Sequence, residues 1–183
     1  MKARAAWPAP AKLNLMLRIV GRRPDGYHLL QTVFQFTDLC DQLYFSVRGD
    51  GAVVRSNDVP GVAPDDDLVV RAARLLQREA GCSRGVDIRV DKHIPLGGGL
   101  GGGSSDAATT LVALNRLWGC GLDEVQLQRL GLRLGADVPI FIHGHAAWAE
   151  GVGDEFREIE PSAPIYLLLS PPEHVDTGRV FRD

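Results

Sequence analysis

Leu13, Leu15, Leu17 and Ile19 alternate with Asn14, Met16, Arg18 and Val20. This two-residue rhythm predicts a half-buried strand near the start of the chain. The same rhythm returns at Leu43, Phe45 and Val47, and again at Val86, Ile88 and Val90. Arg22-Arg23-Pro24-Asp25-Gly26 has the residues of a turn. Gly49-Asp50-Gly51 predicts a second turn into Val53-Val54-Arg55, and so a hairpin. Helical spacing appears at Leu68, Ala72, Leu75, Leu76 and Ala80, behind the acidic run Asp65-Asp66-Asp67. An aspartate is a natural N-cap there, and Gly81 a stop. Residues 106–118 predict a second helix, with Ala107, Leu111, Leu114 and Trp118 on one stripe, and residues 123–134 a third, ended by Gly135. Residues 146–149 and 166–169 read as later strands. Strands first, then strand, loop and two helices, predict an α+β fold with helices on one face of a mixed sheet, not a repeating βαβ unit.

Composition narrows the class without naming a function. With 183 residues, 45% of them hydrophobic and 23% charged, the chain suits one ordinary domain or one lobe of a larger enzyme. The net charge is −3, with lysine and arginine scattered, so no basic stripe for a nucleic-acid backbone is expected. No apolar run is long enough for a membrane helix. Pro8 interrupts the N-terminus before a signal-peptide core can form, so a cytoplasmic protein is expected. Cys40, Cys82 and Cys120 lie far apart in the sequence and make neither a CxxC pair nor a zinc pattern, which suits reduced thiols. His143 and His145 lack further ligands at metal spacing and read as loop residues.

Glycine is the anomaly. Of 21 glycines, Gly97, Gly98, Gly99, Gly101, Gly102 and Gly103 crowd into one loop, Pro95-Leu96-Gly97-Gly98-Gly99-Leu100-Gly101-Gly102-Gly103-Ser104-Ser105. Without side chains the backbone can approach a polyanion and turn its amides into one concavity. A helix starting near Ser104 adds free N–H groups and the positive end of its dipole. Ser104 and Ser105 offer hydroxyls to phosphate or Mg²⁺. The loop is not Walker A, because no Lys-Ser or Lys-Thr pair follows it. Gly97, Gly99 and Gly102 formally satisfy GxGxxG, which leaves a nicotinamide-dependent oxidoreductase as an alternative. Against it, charged Asp91-Lys92-His93 stands where a dinucleotide fold needs a buried strand.

Phosphoryl transfer to an alcohol also needs a carboxylate to receive the proton and a cation beside it. Asp137, in the apolar stretch Leu134-Gly135-Ala136-Asp137-Val138-Pro139, and Lys12, in Pro10-Ala11-Lys12-Leu13-Asn14-Leu15, are candidates. Taken singly, they read as a turn residue and a solvated lysine. Together with Asp25-Gly26-Tyr27-His28, the glycine loop and Ala149-Glu150-Gly151-Val152-Gly153, they resemble the GHMP kinase superfamily. The Leu-Asn-Leu and Tyr-His elements point to its branch acting on a cytidine-diphosphate-linked alcohol.

The resemblance implies a ribosomal protein S5 domain 2-like N-terminal domain over residues 1–165. It implies ATP with Mg²⁺ and transfer of the γ-phosphate to the tertiary 2-hydroxyl of 4-diphosphocytidyl-2-C-methyl-D-erythritol, in non-mevalonate isoprenoid biosynthesis. Asp137 would take the hydroxyl proton and Lys12 would keep it charged. Lys92 and the loop from Pro95 to Ser105 would hold ATP. Asn14, Tyr27, His28, Phe34, Thr177 and Phe181 would hold the substrate, Tyr27 and Phe181 sandwiching cytosine and His28 reading its edge; for Phe34, core packing is an equal reading. Asp67 departs from the asparagine usual at its position and lacks the amide donor that would face adenine. The resemblance further implies a second lobe of roughly a hundred residues. Residues 166–183 would lead into it, and the 183-residue chain alone would be poorly active, or a nucleotide-binding module without turnover. Mg²⁺ ligands and oligomeric state stay open.

Overall fold

Two long strands frame the molecule, β1 (Trp7–Arg22) and β2 (His28–Arg48), paired antiparallel from Trp7 opposite Leu43 to Arg22 opposite His28. The structure is a computed structural model and describes residues 5–24, 26, 28–59, 62–63, 66–162 and 164–169. Tyr27, Thr177 and Phe181 lie outside the described residues. On its other edge β2 pairs with β4 (Gly85–Asp91) through residues 42–48 and with β5 (Ala147–Glu150) through residues 32–34, both antiparallel. The short β3 (Val53–Arg55) joins β4 in parallel, and β6 (Glu155–Glu158) closes the far side on β5. One parallel pair in an otherwise antiparallel sheet is the mixed sheet expected. It is not the parallel doubly wound sheet that a dinucleotide loop requires.

Four helices complete the described fold: α1 (Leu68–Glu79), α2 (Gly102–Trp118), α3 (Glu124–Leu132) and α4 (Val138–His143). Register sets Leu43 opposite Val90 and Phe45 opposite Ile88, so their side chains share one sheet face. Against it pack Val69, Ala72, Ala73 and Leu76 of α1 and Ala107, Leu111 and Leu114 of α2, in one core that also takes in Leu127 and Leu130. A smaller core under α4 holds Phe34, Ile140, Ala147 and Ala149. The caps follow the sequence: Asp67 accepts from the Val69 amide, and Asp123 and Gln126 form a reciprocal box at the start of α3.

Several expectations need correction. The hairpin from residue 47 to residue 55 does not form. β4 occupies the β2 edge beside residues 42–48, so β3 pairs with β4 instead. Leu15, Leu17 and Ile19 are about two-fifths exposed, because α2 covers the first half of β1, where Ala9 and Ala11 are fully buried. Alternation marks a strand but cannot say what lies on it. Residues 164–169 carry no strand, and Ile165, Leu167 and Leu169 stand open. Asp137-Val138-Pro139 opens a fourth helix where the sequence shows only an apolar stretch, and β6 forms without a sequence signal of its own. Cys82 and Cys120, distant in sequence, meet behind the C-terminal ends of α1 and α2. Burial, then the neighbouring Cys82, pushes the Cys120 thiol up.

Candidate active site

The glycine loop leaves β4 and runs straight into α2. Gly97, Gly99 and Gly101 have φ of 74°, 70° and 72°, in the left-handed region that favours glycine. Gly101 is the N-cap and no side chain caps the helix. The first intrahelical bond runs from the Ser105 amide to the Gly101 carbonyl, at 2.8 Å. The amides of Gly102, Gly103 and Ser104 are therefore left at the helix entrance, with the positive end of its dipole. Residues 95–99 are exposed, and a Cβ on Gly99 would meet nothing within 4 Å, whereas Phe141 and Ile94 pack against Gly101 and Gly102. Ser105 is turned inward: it is fully buried and its hydroxyl has no partner.

A main-chain bond from the Lys12 amide to the Leu100 carbonyl, 3.0 Å, ties this loop to β1. The approach is close enough that a Cβ on Gly101 would lie 2.8 Å from the Phe141 ring and 3.2 Å from Lys12 Cγ. Lys12 is a buried cation, 6% exposed. Its Nζ lies 3.3 Å from Asp137 Oδ2, donates to Asn14 Oδ1 at 2.6 Å and sits 5.6 Å from the centre of the Phe34 ring. Asp137 occupies the N-cap position of α4, yet its side chain caps nothing. Its carboxylate is given to Lys12 and remains two-fifths exposed toward solvent.

Lys92 sits at the root of the loop. Its ammonium is bound by Asp41 Oδ2 and, at 2.7 Å, by Asp106 Oδ2. Fully buried Asp41 also accepts from the amides of His93, at 2.5 Å, and Ile94, at 2.8 Å. Burial weakens the charge on Lys92, but Asp106 and Asp41 outweigh it and raise its pKa. Burial likewise pushes the Asp106 carboxyl up, to about 7, against the pull of Lys92. This cluster joins β2, the end of β4 and α2 directly beneath Gly102. Neither Asp41 nor Asp106 stands out in the sequence, since each is a lone aspartate in an ordinary strand or helix.

Beside the loop lies a cavity of about 220 Å³, lined by Val59, Val62, Leu68, Val90 and Leu96 with Asp66, Asp67, Lys92 and Asp106 at its edges. Asp67 has both oxygens occupied: Oδ1 caps Val69 and Oδ2 pairs with the buried Arg55. Its role here is structural. Of the expected substrate residues, Asn14 stands beside Lys12, and Phe34 is 3% exposed within the smaller core, touching the site through its ring face. His28 is half-buried at the start of β2, eight residues from Phe36, the partner of Lys12. At strand rise that is at most about 27 Å along the hairpin. His143 packs on Phe156 and contacts Glu124 at 3.2 Å; among the described residues no group of three or more metal-binding side chains exists.

An open glycine loop at a helix entrance, a lysine–aspartate pair against it and an antiparallel sheet with one parallel strand define a class. The chain carries the N-terminal domain of the GHMP kinases, and the family described as GHMP kinases N terminal domain matches residues 67–145. The chain is 59% identical over 182 residues to 4-diphosphocytidyl-2-C-methyl-D-erythritol kinase of Pseudomonas savastanoi pv. phaseolicola, covering 100% of this chain and 63% of that protein. It is 61% identical to the protein of the same name from Nitrosococcus oceani, over 96% of this chain and 62% of that protein. A crystal structure of 4-(cytidine 5'-diphospho)-2C-methyl-D-erythritol kinase superposes with a TM-score of 0.77 at 39% identity, over 97% of this chain and 63% of that one. The chain thus spans rather under two thirds of the curated relatives it matches. No helix of the described residues is long and apolar enough to cross a membrane.

Proposed function

We propose that this chain is the nucleotide-binding and catalytic part of a cytoplasmic kinase that moves the γ-phosphate of ATP onto the 2-hydroxyl of 4-diphosphocytidyl-2-C-methyl-D-erythritol. The observation that carries the reading is the Lys12–Asp137 pair, 3.3 Å apart and bonded through the Lys12 main chain to the glycine loop. A carboxylate able to take a proton thus lies beside an opening suited to a polyphosphate. Residues 1–165 form this part, and residues 166–183 lead toward a second lobe that completes the cleft.

The loop suits an anionic tail: three free amides and a helix dipole face it, and glycine conformations keep side chains away. Lys92, its charge balanced by Asp41 and Asp106, has one ammonium N–H left to donate at the root of the loop. The 220 Å³ cavity has the apolar walls that a purine needs. Mg²⁺ would arrive with the ATP phosphates, which supply much of its coordination, and the Ser104 hydroxyl at the helix entrance would assist.

At the acceptor end, Asp137 receives the proton of the attacking hydroxyl while Lys12 offsets charge on the group in transit. A tertiary alcohol is a hindered nucleophile, so alignment of the hydroxyl with the phosphorus contributes more than nucleophile strength. Asn14 lies beside the reacting end. Tyr27, His28 and Phe181, with Thr177, would take the cytosine end. The test is phosphate transfer from ATP to this alcohol by the full-length protein, wild type against Asp137→Asn. The variant should lose at least about 100-fold in kcat, the low end for removing a general base. A near-normal rate would remove Asp137 from the chemistry.

A further inference from the structure

Asn14 contacts the ammonium of Lys12, but a carboxamide has two ends and only one can accept. Its orientation is decided one residue further in, by Thr32. The Asn14 Nδ2 group donates to Thr32 Oγ1 at 2.7 Å, and Thr32 Oγ1 in turn donates to the Met16 carbonyl at 2.7 Å. A hydroxyl has a single proton. Since that proton goes to Met16, Thr32 can only accept from Asn14. The NH₂ end must face Thr32, and the oxygen must face Lys12, where it accepts at 2.6 Å. We propose that Thr32 is a positioning residue for the Lys12–Asp137 pair: its buried hydroxyl fixes the direction of the Asn14 carboxamide, which then holds the Lys12 ammonium beside Asp137.

The fold gives the relay its rigidity. Thr32 is fully buried, paired with Leu17 of β1 on one side and with Ala149 of β5 on the other. Asn14 pairs with Phe34 and Met16 with Val33, so Leu15 is the extra residue of a bulge. The bulge brings the Met16 carbonyl within reach of a hydroxyl that an unbroken register would keep on its own ladder. Thr32 itself has no exposure, so losing its hydroxyl takes from the Asn14 amide the acceptor that sets its direction.

The catalytic half of this inference rests on the phosphotransfer reading above; the geometric half does not, and two measurements separate them. Thr32→Val keeps the shape and removes the hydroxyl, while Thr32→Ser restores it. In full-length protein we expect Thr32→Val to lower kcat about tenfold with KM little changed, and Thr32→Ser to recover to within about twofold. In an Asn14→Ala background, Thr32→Val should add less than about twofold, because its effect passes through Asn14. A wild-type rate for Thr32→Val, or a full additional loss in the Asn14→Ala background, overturns the proposal. The second measurement needs no turnover. Lys12 of the unliganded protein is labelled with acetic anhydride and quantified by mass spectrometry, with thermal melting to check that each variant is folded. Thr32→Val should label Lys12 several-fold faster than wild type and Thr32→Ser. Unchanged labelling overturns the proposal whatever the rate of phosphate transfer. Faster labelling in a protein that transfers no phosphate keeps the positioning role and rejects the kinase reading.

Discussion

Alanine substitutions along the glycine loop should separate strain from collision. Gly99 and Gly101 share almost the same backbone, φ of 70° and 72°, but not the same surroundings. A Cβ on Gly99 meets nothing within 4 Å, whereas on Gly101 it lies 2.8 and 2.9 Å from the Phe141 ring and 3.2 Å from Lys12 Cγ. Gly103 is helical, and its Cβ would make an ordinary 3.5 Å contact with Leu68. Left-handed backbone costs a residue with a Cβ about 1–2 kcal/mol. Forcing a methyl into a packed site costs about 1–3 kcal/mol more. Gly103→Ala should be neutral or gain a few tenths of a kcal/mol through helix propensity. Gly99→Ala should lose about 1–2 kcal/mol of loop stability, and Gly101→Ala about 2–5 kcal/mol, with displacement of Lys12. Calorimetric titration with a non-hydrolysable ATP analogue, alongside thermal melting of each variant, reads both effects. ATP-analogue affinity should fall in the order Gly103→Ala, Gly99→Ala, Gly101→Ala. Equal affinity for Gly99→Ala and Gly101→Ala would refute the claim that Phe141 and Lys12 wall the loop.

Two further outcomes follow from the buried carboxylates. Burial raises the Asp106 carboxyl to about 7, above its unfolded value, so the folded state holds a proton that the unfolded chain releases. Its contribution to stability is complete below about pH 4 and is lost as pH rises through about 7. Urea unfolding across that range should show the decline, and Asp106→Asn should flatten it. Asp67→Ala removes the cap of α1 and strands the buried Arg55, a loss of about 3–5 kcal/mol by denaturation. Asp67→Asn keeps an acceptor for Val69 and should lose clearly less.

Much of the site was legible in the chain because its signals are local. Six glycines running into the first turn of a helix announce an open anion cradle wherever that helix packs. The cap at Asp67 needs only its own next turn. Lys12 and Asp137 were different: each alone reads as an ordinary residue, and only the combined motifs singled them out. Contacts between distant segments left no trace in the sequence. Asp41 and Asp106 share Lys92 only because β2, β4 and α2 converge, and no periodicity distinguishes them from surface aspartates.

The sequence by itself therefore determined most of the strands, the first three helices, the loop where glycine permits left-handed backbone, and which segments are candidates for phosphate and proton chemistry. Tertiary structure decided the partners. It gave β3 to β4 because the β2 edge was already taken, left Leu15, Leu17 and Ile19 open beyond the reach of α2, and turned Ser105 inward. It also committed both ends of the Asn14 amide, to Lys12 and to Thr32. The physical reason is one of range: dihedral preference and amphipathic period act within a turn or two. Burial, charge pairing and the direction of a hydrogen bond depend on which segments the fold brings face to face.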